Sequence, residues 1–337
     1  MRRIVCSAVL SIAIVFVLGF LTSCDAPDPK PYVPAEPDTS PLVVTFERAP
    51  DLGNVAGGFV DVFISNQGRA IALDTRRQVY TTEEVSRGST WVVRYTVPSD
   101  DPPPTAVAIE PSGGGFFIGH ECANGCYTLV ERTSAGDTRL RAPRDFAIRM
   151  ANGEVVTYPI RDAIWETGLV VGTGRNQRGG GVYSLPSPLV NTWWTTHGLR
   201  TQASQSPQPA YVGAVGSDGS STFYASVNYE TGTATVSADL LQKSFGGDTW
   251  LSLYAANRGF VPAFTVSEQP LAVAGRGVAM ALWFSTRGLI YKGSGMPYRR
   301  TVVSGLQGTT VALALDPQRY LWVATSVSMF RSREPMP

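Results

Sequence analysis

Short apolar bursts, each followed by turn-forming residues, recur along most of this 337-residue chain. Typical bursts are Phe59–Ile64, Thr105–Ile109 and Thr310–Leu315, and the segments after them contain Gly, Pro, Asn or Asp. Short apolar segments bounded by such residues indicate β-strands. Because no long stripe with the 3.6-residue period of an amphipathic helix follows residue 41, the pattern predicts an all-β protein.

The bursts belong to a repeated unit of four short strands. The first strands are predicted at Phe59–Ile64, Thr105–Ile109, Asp145–Ile148, Tyr211–Val215, Leu271–Ala274 and Thr310–Leu315. The third strand carries an aromatic residue in five copies, namely Tyr80, Tyr127, Tyr183, Tyr291 and Phe330. Four strands per unit, repeated at roughly 40 to 66 residues, are typical of propeller blades. We therefore predict a six-bladed β-propeller, with seven blades as the alternative.

The two ends of the repeat region complement each other. The last unit stops shortly after Phe330, before a fourth strand, whereas Leu42–Glu47 is a strand-like segment with no unit of its own. Pairing these two parts would remove an exposed sheet edge. We predict that the N-terminal strand closes the ring by pairing with the last blade, so that the propeller domain covers residues 42–337.

The N-terminus has the layout of an export signal. Arg2 and Arg3 precede an apolar run from residue 4 to residue 21, which leads into Leu21-Thr22-Ser23-Cys24. This end resembles the lipobox of bacterial lipoproteins, which implies a signal peptide over residues 1–23 and acyl chains on Cys24. An uncleaved membrane-spanning helix is the alternative. Residues 24–41 are rich in Pro and Asp and are expected to form an extended tether. The predicted location is the bacterial cell envelope, with the lipid in a membrane.

Composition narrows the range of partners. The formal net charge is +1, and only 16% of the residues are charged, so no basic field points to nucleic acid.

After the signal and the lipid site, two cysteines remain, Cys122 and Cys126. In an exported protein, a pair separated by Ala-Asn-Gly is predicted to form a disulfide. A metal site that includes His120 is the alternative, although structural zinc sites usually need four ligands. We predict no metal and no cofactor.

Two segments resemble the Asp-box motif Ser-x-Asp-x-Gly-x-Thr-Trp. They are Glu84–Trp91 and Lys243–Trp250, and both keep the Gly-x-Thr-Trp end, whereas Ser86 and Phe245 stand where the motif has Asp. The chain is thus similar to the Asp-box propellers, which include sialidases, sortilin-type receptors and photosystem-assembly propellers. In that family the boxes are structural, so the resemblance implies a fold rather than an activity.

Catalytic motifs are scarce, and binding is the favoured function. The chain has no G-x-S-x-G elbow and no phosphate-binding glycine motif. The predicted function is a non-catalytic scaffold for a protein or glycan, and a carbohydrate-active enzyme on the same fold is the alternative. The insertions around residues 151–181 and 198–209 are expected to contact the partner. The candidate binding surface consists of Trp193, Trp194, Tyr183 and His197. In the alternative interpretation, Trp193 and Trp194 are both buried, as large aromatic residues usually are.

Overall fold

The computed structural model describes residues 40–86, 88–121, 127–132, 138–141, 148–149, 155–156, 159–174, 181–186, 195–197, 210–219, 221–231, 234–245, 250–253, 270–277, 279–285, 287–293 and 298–337. Within these residues the chain forms 26 β-strands, and the helical structure is limited to the 3-10 turn Leu52–Asn54. The all-β prediction is confirmed.

Four sheets contain four strands each, paired in chain order as antiparallel meanders. Sheet I is β2 Phe59–Ile64, β3 Ala70–Asp74, β4 Gln78–Thr82 and β5 Val92–Thr96. Sheet II is β6 Pro104–Ile109, β7 Gly115–His120, β8 Tyr127–Arg132 and β9 Thr138–Arg141. Sheet III is β12 Ile160–Trp165, β13 Leu169–Thr173, β14 Val182–Leu185 and β15 Thr195–His197. Sheet IV is β16 Ala210–Ser217, β17 Thr222–Thr231, β18 Ala234–Ser244 and β19 Leu251–Ser252.

An eight-stranded sheet holds the rest of the repeat. Its first half, sheet V, is β20 Pro270–Arg276, β21 Ala279–Phe284, β22 Gly288–Lys292 and β23 Arg299–Ser304. Its second half, sheet VI, is β24 Thr310–Leu315, β25 Leu321–Thr325, β26 Met329–Ser332 and the N-terminal strand β1 Leu42–Arg48. A separate two-stranded sheet pairs β10 Ile148–Arg149 with β11 Val155–Val156.

The N-terminal strand completes the last sheet, as predicted. β1 pairs antiparallel with β26, with Phe46 opposite Ser332. It also pairs in parallel with β23, with Val43 opposite Val302, which joins the outer edges of sheets V and VI. Because β1 is hydrogen-bonded on both sides, the exposed edge that an orphan strand would leave is absent at this place.

One first strand differs from its predicted position. The segment Asp145–Ile148 is not the first strand of sheet III, because Ile148 pairs with Val156 in the small separate sheet. The first strand is β12, Ile160–Trp165. Arg161 and Asp162 interrupt its apolar pattern, which is why the apolar repeat predicts the strand too early in the sequence.

The first strands of the six sheets contact one another in a closed cycle. β2 contacts β6, and contacts continue through β12, β16, β20 and β24 back to β2. Small residues at the centre and aromatic residues farther out fill this ring. Trp91 of sheet I packs against Trp322 of sheet VI with ring centroids 6.0 Å apart, and Phe223 packs edge-on against Trp250 at 5.3 Å. The aromatic residues predicted in the third strands lie there and are buried: Tyr80, Tyr127, Tyr183, Tyr291 and Phe330.

Candidate functional site in the central channel

The six first strands surround a central channel and contribute most of its lining residues. Two hydrogen bonds between neighbouring sheets show that equivalent ends of these strands lie together. Near the strand starts, Thr105 Oγ1 donates to Ile160 O at 2.6 Å. At the strand ends, Arg276 Nη2 donates to Leu315 O at 2.8 Å. The channel therefore has one mouth at the strand starts and another at the strand ends.

A β-bulge marks the same position in each first strand. The bulged residues, which we call the rim, are Val60, Thr105, Arg161, Gly213, Leu271 and Val311. They lie at the first mouth and all line the channel. Because a bulge adds one unpaired residue and redirects its side chain, it sets what the channel presents at its entrance.

The next residue along each strand is alanine in four sheets and aspartate in two. The alanines are Ala106, Ala214, Ala272 and Ala312, and the aspartates are Asp61 and Asp162. Alanine suits the crowded centre, and the four alanines are all buried. Each aspartate places a carboxylate where the other sheets have a methyl group.

Both aspartates bind backbone amides across a boundary between sheets. Asp61 accepts hydrogen bonds from Val62 N at 2.7 Å and, in sheet II, from Val107 N at 2.7 Å. Asp162 accepts the equivalent bonds from Ala163 N at 2.8 Å and, in sheet IV, from Val215 N at 2.8 Å. Each carboxylate oxygen thus has a partner, as buried polar groups require. The aspartates tie their own sheet to the next one.

The two carboxyl groups also influence one another. Burial raises the pKa of Asp61 well above its usual value, and the negative charge of Asp162 raises it further. Burial raises the pKa of Asp162 to about 7, although the amide hydrogen bonds oppose this shift. The pair therefore holds a proton into the neutral pH range.

We call the mouth at the strand ends the floor. Two long side chains, those of Glu166 and Arg276, span it. Glu166 Oε2 accepts a hydrogen bond from Asn66 N in sheet I at 3.2 Å. Arg276 Nη2 donates to Ser65 O at 3.0 Å, besides its bond to Leu315 O. Burial raises the pKa of Glu166 to about 7, and the charge of Arg276 opposes that shift. These hydrogen bonds, from Glu166 next to sheet III and Arg276 of sheet V to the backbone next to sheet I, narrow the floor.

The rim has an apolar side. Leu271 and Val311 are 42% and 37% exposed although they line the channel, and Val60 of the next sheet lies beside them in the cycle. The opposite side is polar. Thr105 is bonded to Ile160 O, and Arg161 Nη1 lies 3.4 Å from Glu121 Oε1. The channel is therefore apolar at one side of its entrance and acidic just below it.

The chemistry of this site favours cations or hydroxyl-bearing ligands. Carboxylate oxygens have two lone pairs, so one amide bond to each leaves capacity for a further donor. In the part of the chain that the structure describes, no three His, Cys, Asp or Glu side chains are grouped to hold a metal ion.

No helix among the described residues has the length and apolar character needed to span a membrane.

Most of the residues predicted as sites lie outside the described ranges: Cys24, Cys122, Cys126, Trp193 and Trp194. His197 is in β15 opposite Val182. Tyr183 is only 6% exposed and packs in a core cluster, so little of its ring is available to a ligand. The proposed binding surface around these residues stays a prediction.

His120 is one of the three ligands of the alternative metal site, with Cys122 and Cys126, and its ring nitrogens already have partners. Nδ1 lies 2.9 Å from Pro102 O, and Nε2 lies 3.1 Å from Thr128 Oγ1. Burial lowers the pKa of His120, which keeps the ring neutral. This arrangement matches a buried, satisfied core histidine rather than a metal ligand.

Sequence reasoning missed Asp61 and Asp162 as a pair. The signal was present, because aligning the first strands on their central alanine leaves these two positions as the exceptions. The misplaced first strand of sheet III removed Asp162 from that alignment.

Comparisons with known proteins agree with a propeller fold. No family model matches the chain, and no curated protein matches it. A gluconolactonase from Xanthomonas campestris is 13% identical over 89% of this chain and 96% of its own, with a TM-score of 0.55. The extracellular domain of a hybrid two-component system from B. thetaiotaomicron is 15% identical with a TM-score of 0.51, and the match covers 87% of this chain.

This chain spans only 40% of the length of that extracellular domain. The WD40 repeats of RRP9 are 10% identical over 87% of this chain and 98% of their own, with a TM-score of 0.50. At these identities the likeness concerns the fold alone. The chain has a β-propeller fold.

Proposed function

We propose that this chain is a lipid-anchored, six-bladed β-propeller of the bacterial cell envelope that binds a protein or glycan without catalysing a reaction. One observation carries the proposal. The channel carboxylates are held by backbone amides at the sheet boundaries, whereas the rim above them leaves Leu271 and Val311 exposed. The acidic groups thus help to hold the sheets together, and the rim above them presents exposed apolar side chains to a partner.

Long connections between sheets attach beside this rim. Residues 198–209 join the end of β15 to the start of β16, and residues 254–269 lead to the start of β20. In antiparallel meanders the fourth strand ends on the side where the first strand begins. Variable connections held by a rigid scaffold are common binding elements. The expected partner contacts at residues 198–209 therefore belong to the rim side.

The lipid anchor at Cys24 holds the propeller at a membrane in this proposal. Two or more acyl chains give stable anchoring, since each buried methylene contributes about 0.8 kcal/mol. The tether over residues 24–41 keeps the propeller clear of the membrane surface.

The proposal is tested by crosslinking in the native envelope, followed by co-purification and mass analysis of the mature N-terminus. We expect an N-terminal peptide that begins at a lipid-modified Cys24, and a protein or glycan enriched with the chain. A Cys24→Ser control should lose the lipid mass and leave the membrane fraction. An unmodified N-terminus would contradict the anchor, and crosslinking without any enriched partner would contradict the scaffold.

A carbohydrate-active enzyme is the second candidate, favoured by the acidic groups of the channel. Asp61, Asp162 and Glu166 all have raised pKa values, and Arg161 lines the same space. Paired carboxylates with separated roles are typical of glycosidases. Release of sugars from envelope glycans by the wild-type chain, lost in Glu166→Gln and Asp162→Ala, would establish this function in place of the scaffold.

A further inference from the structure

The channel entrance is amphipathic in a way that suits a particular ligand. Its apolar side comes from three consecutive sheets, V, VI and I, through Leu271, Val311 and Val60. Leu271 and Val311 keep exposed fractions of 42% and 37% although their strands belong to the central cycle. These residues form a wall on which an aliphatic chain can pack.

Two carboxyl groups of the channel lining lie one residue along the strand from the rim, in sheets I and III. Asp61 follows Val60 along β2, and Asp162 follows Arg161 along β12. Because a strand rises about 3.3 Å per residue, the carboxylates lie only a few ångströms deeper than the rim. The negative charge of Asp162 raises the pKa of Asp61, so the two ionised carboxylates repel each other, and a cation beside both would remove that cost.

We expect a ligand to reach the two carboxyl groups from the rim, because side chains bridge the floor. Arg276 and Glu166 span the floor through their bonds to Ser65 O, Leu315 O and Asn66 N. The floor also retains unused hydrogen-bonding capacity, since Ser65 Oγ is fully buried and has no partner among the described residues. The channel thus has side chains bridging its floor, an apolar side at its rim and carboxyl groups in its lining.

We infer that the rim admits a lysine side chain of a protein partner, with its stem on Leu271, Val311 and Val60 and its ammonium between Asp61 and Asp162. This inference rests on the proposed binding function and names the chemistry of the partner. The length is suitable, because four methylenes reach farther than the short step from the rim to the carboxylates.

Charge and donor geometry select this ligand over others. An anion is disfavoured, because among the described residues three carboxyl groups face the channel and only two basic groups do. Of the basic groups, Arg161 is paired with Glu121, and Arg276 donates to backbone carbonyl groups at the floor. A divalent metal needs more oxygen ligands than two carboxylates that already accept amide bonds can supply. A guanidinium prefers both oxygens of one carboxylate, whereas an ammonium is a compact charge with three rotatable donors that can bridge two groups.

Binding should strengthen as the pH rises through about 7. The empty pair holds a proton in this range, because burial raises the pKa of Asp162 to about 7 and that of Asp61 well above normal. An ammonium replaces that proton, and it stays charged up to about pH 10. The other charged groups that face the channel are Glu166, Arg161 and Arg276. Ionisation of Glu166 in the same range adds to the trend.

The test uses the full chain in detergent and n-pentylammonium as the probe, with n-pentanol and pentanoate as matched controls. NMR titration should give saturable binding of pentylammonium at pH 8. We expect an affinity at least about tenfold higher than that of pentanol, no binding of pentanoate, and weaker pentylammonium binding at pH 5.5. Equal affinities for pentylammonium and pentanol, or no binding of either, would overturn the inference.

A rim variant tests the position without disturbing the buried carboxylates. Leu271→Lys brings an ammonium of the chain itself to the entrance, so it should abolish pentylammonium binding. Leu251→Lys is the matched control, because Leu251 is 47% exposed on β19, away from the channel. Asp162→Ala should also abolish binding of the probe. Unchanged binding in Leu271→Lys would show that the probe lies elsewhere.

Partner capture separates this inference from the proposed function. Loss of the crosslinked partner in Leu271→Lys, but not in Leu251→Lys, supports both. If Leu271→Lys captures the partner as well as the wild-type chain does, the scaffold function stands and the lysine site is wrong. If neither chain captures a partner, the scaffold function fails, and the probe titration alone decides whether the channel binds an ammonium.

Discussion

Asp61 and Asp162 stand where the other four first strands have alanine, and each bonds to amides of two sheets. Burying a carboxyl group in a channel is unfavourable unless its hydrogen bonds are satisfied. Hydrogen bonds from backbone amides satisfy both carboxyl groups and lower their pKa values. The effect of burial is larger than that of these bonds, so both pKa values are raised. These residues therefore join neighbouring sheets and also make the stability of the ring depend on pH.

Asp162→Ala should reduce that pH dependence. The folded-state pKa of Asp162 is about 7, above its unfolded value of about 3.9, so the folded chain binds more protons between these values. The free energy of unfolding of the parent therefore falls as pH rises from about 4 to about 7. At pH 5 the variant should be less stable by about 1–3 kcal/mol, because Val215 N and Ala163 N lose their acceptor.

At pH 8 the same variant should lie closer to the parent, because the parent then carries the buried charge. Urea unfolding at the two pH values measures this difference. An equal gap at pH 5 and pH 8 would contradict the assigned direction of the pKa shift.

Glu166→Gln separates hydrogen bonding from charge at the floor. The amide oxygen of Gln can still accept the hydrogen bond from Asn66 N, while the ionisable group is removed. The pKa of Glu166 is raised to about 7, so its ionisation destabilises the folded chain as pH rises through that value. We expect a change below about 1 kcal/mol at pH 5 and a variant more stable than the parent at pH 8. Thermal unfolding of Glu166→Gln and Glu166→Ala checks this, and a Gln variant less stable than the parent at pH 8 would refute it.

At the scale of strands, the tail after β26 returns to the core. Met336 is 3% exposed within a cluster that includes Leu289 and Tyr291, and Met336 N donates to Arg319 O at 2.8 Å. Tyr291 OH donates to Pro337 O at 2.7 Å. These contacts fix the segment against sheets V and VI, beside the strand that completes the ring.

Met336→Ala should destabilise the chain by about 2–5 kcal/mol, as large-to-small substitutions in a core do. Met336→Leu conserves the volume and should lose less than about 1.5 kcal/mol. Denaturant unfolding of both variants measures the difference. Equal stability of the Ala variant and the parent would mean that the tail does not pack as described.

The sequence allowed most strands to be predicted, and the exceptions have physical causes. The second strands and the aromatic third strands were recognisable, because their side chains are buried on both faces and leave continuous apolar runs. β12 was misplaced because Arg161 lies at the bulge and Asp162 bonds to amides, so both polar residues are compatible with a buried strand. Bulges and contacts between sheets are properties of the assembled ring, and no local pattern encodes them.

The channel was harder to predict than the strands that build it. The rim becomes a surface only when Leu271 and Val311, distant from Val60 in sequence, are brought into one cycle. Tyr183 illustrates the converse, since this aromatic residue near a predicted insertion is only 6% exposed and packs in a core cluster. Exposure depends on the neighbours that the fold supplies, and a single strand does not determine it.

In the whole molecule, β1 closes the ring between β23 and β26. Val43 of β1 and Val302 of β23 are opposite each other and are 68% and 52% exposed, so both accept substitution without loss of packing. Val92 on β5 is 44% exposed and belongs to sheet I, which makes it a matched control.

The most direct test is crosslinking of Val43→Cys with Val302→Cys by a short thiol reagent that spans one strand spacing, about 5 Å. Peptide mapping distinguishes the new bridge from the native cysteines. We predict an efficient intramolecular bridge between positions 43 and 302, and none between Val43→Cys and Val92→Cys. Absence of the first bridge, or equal yields of the two, would contradict the closed ring.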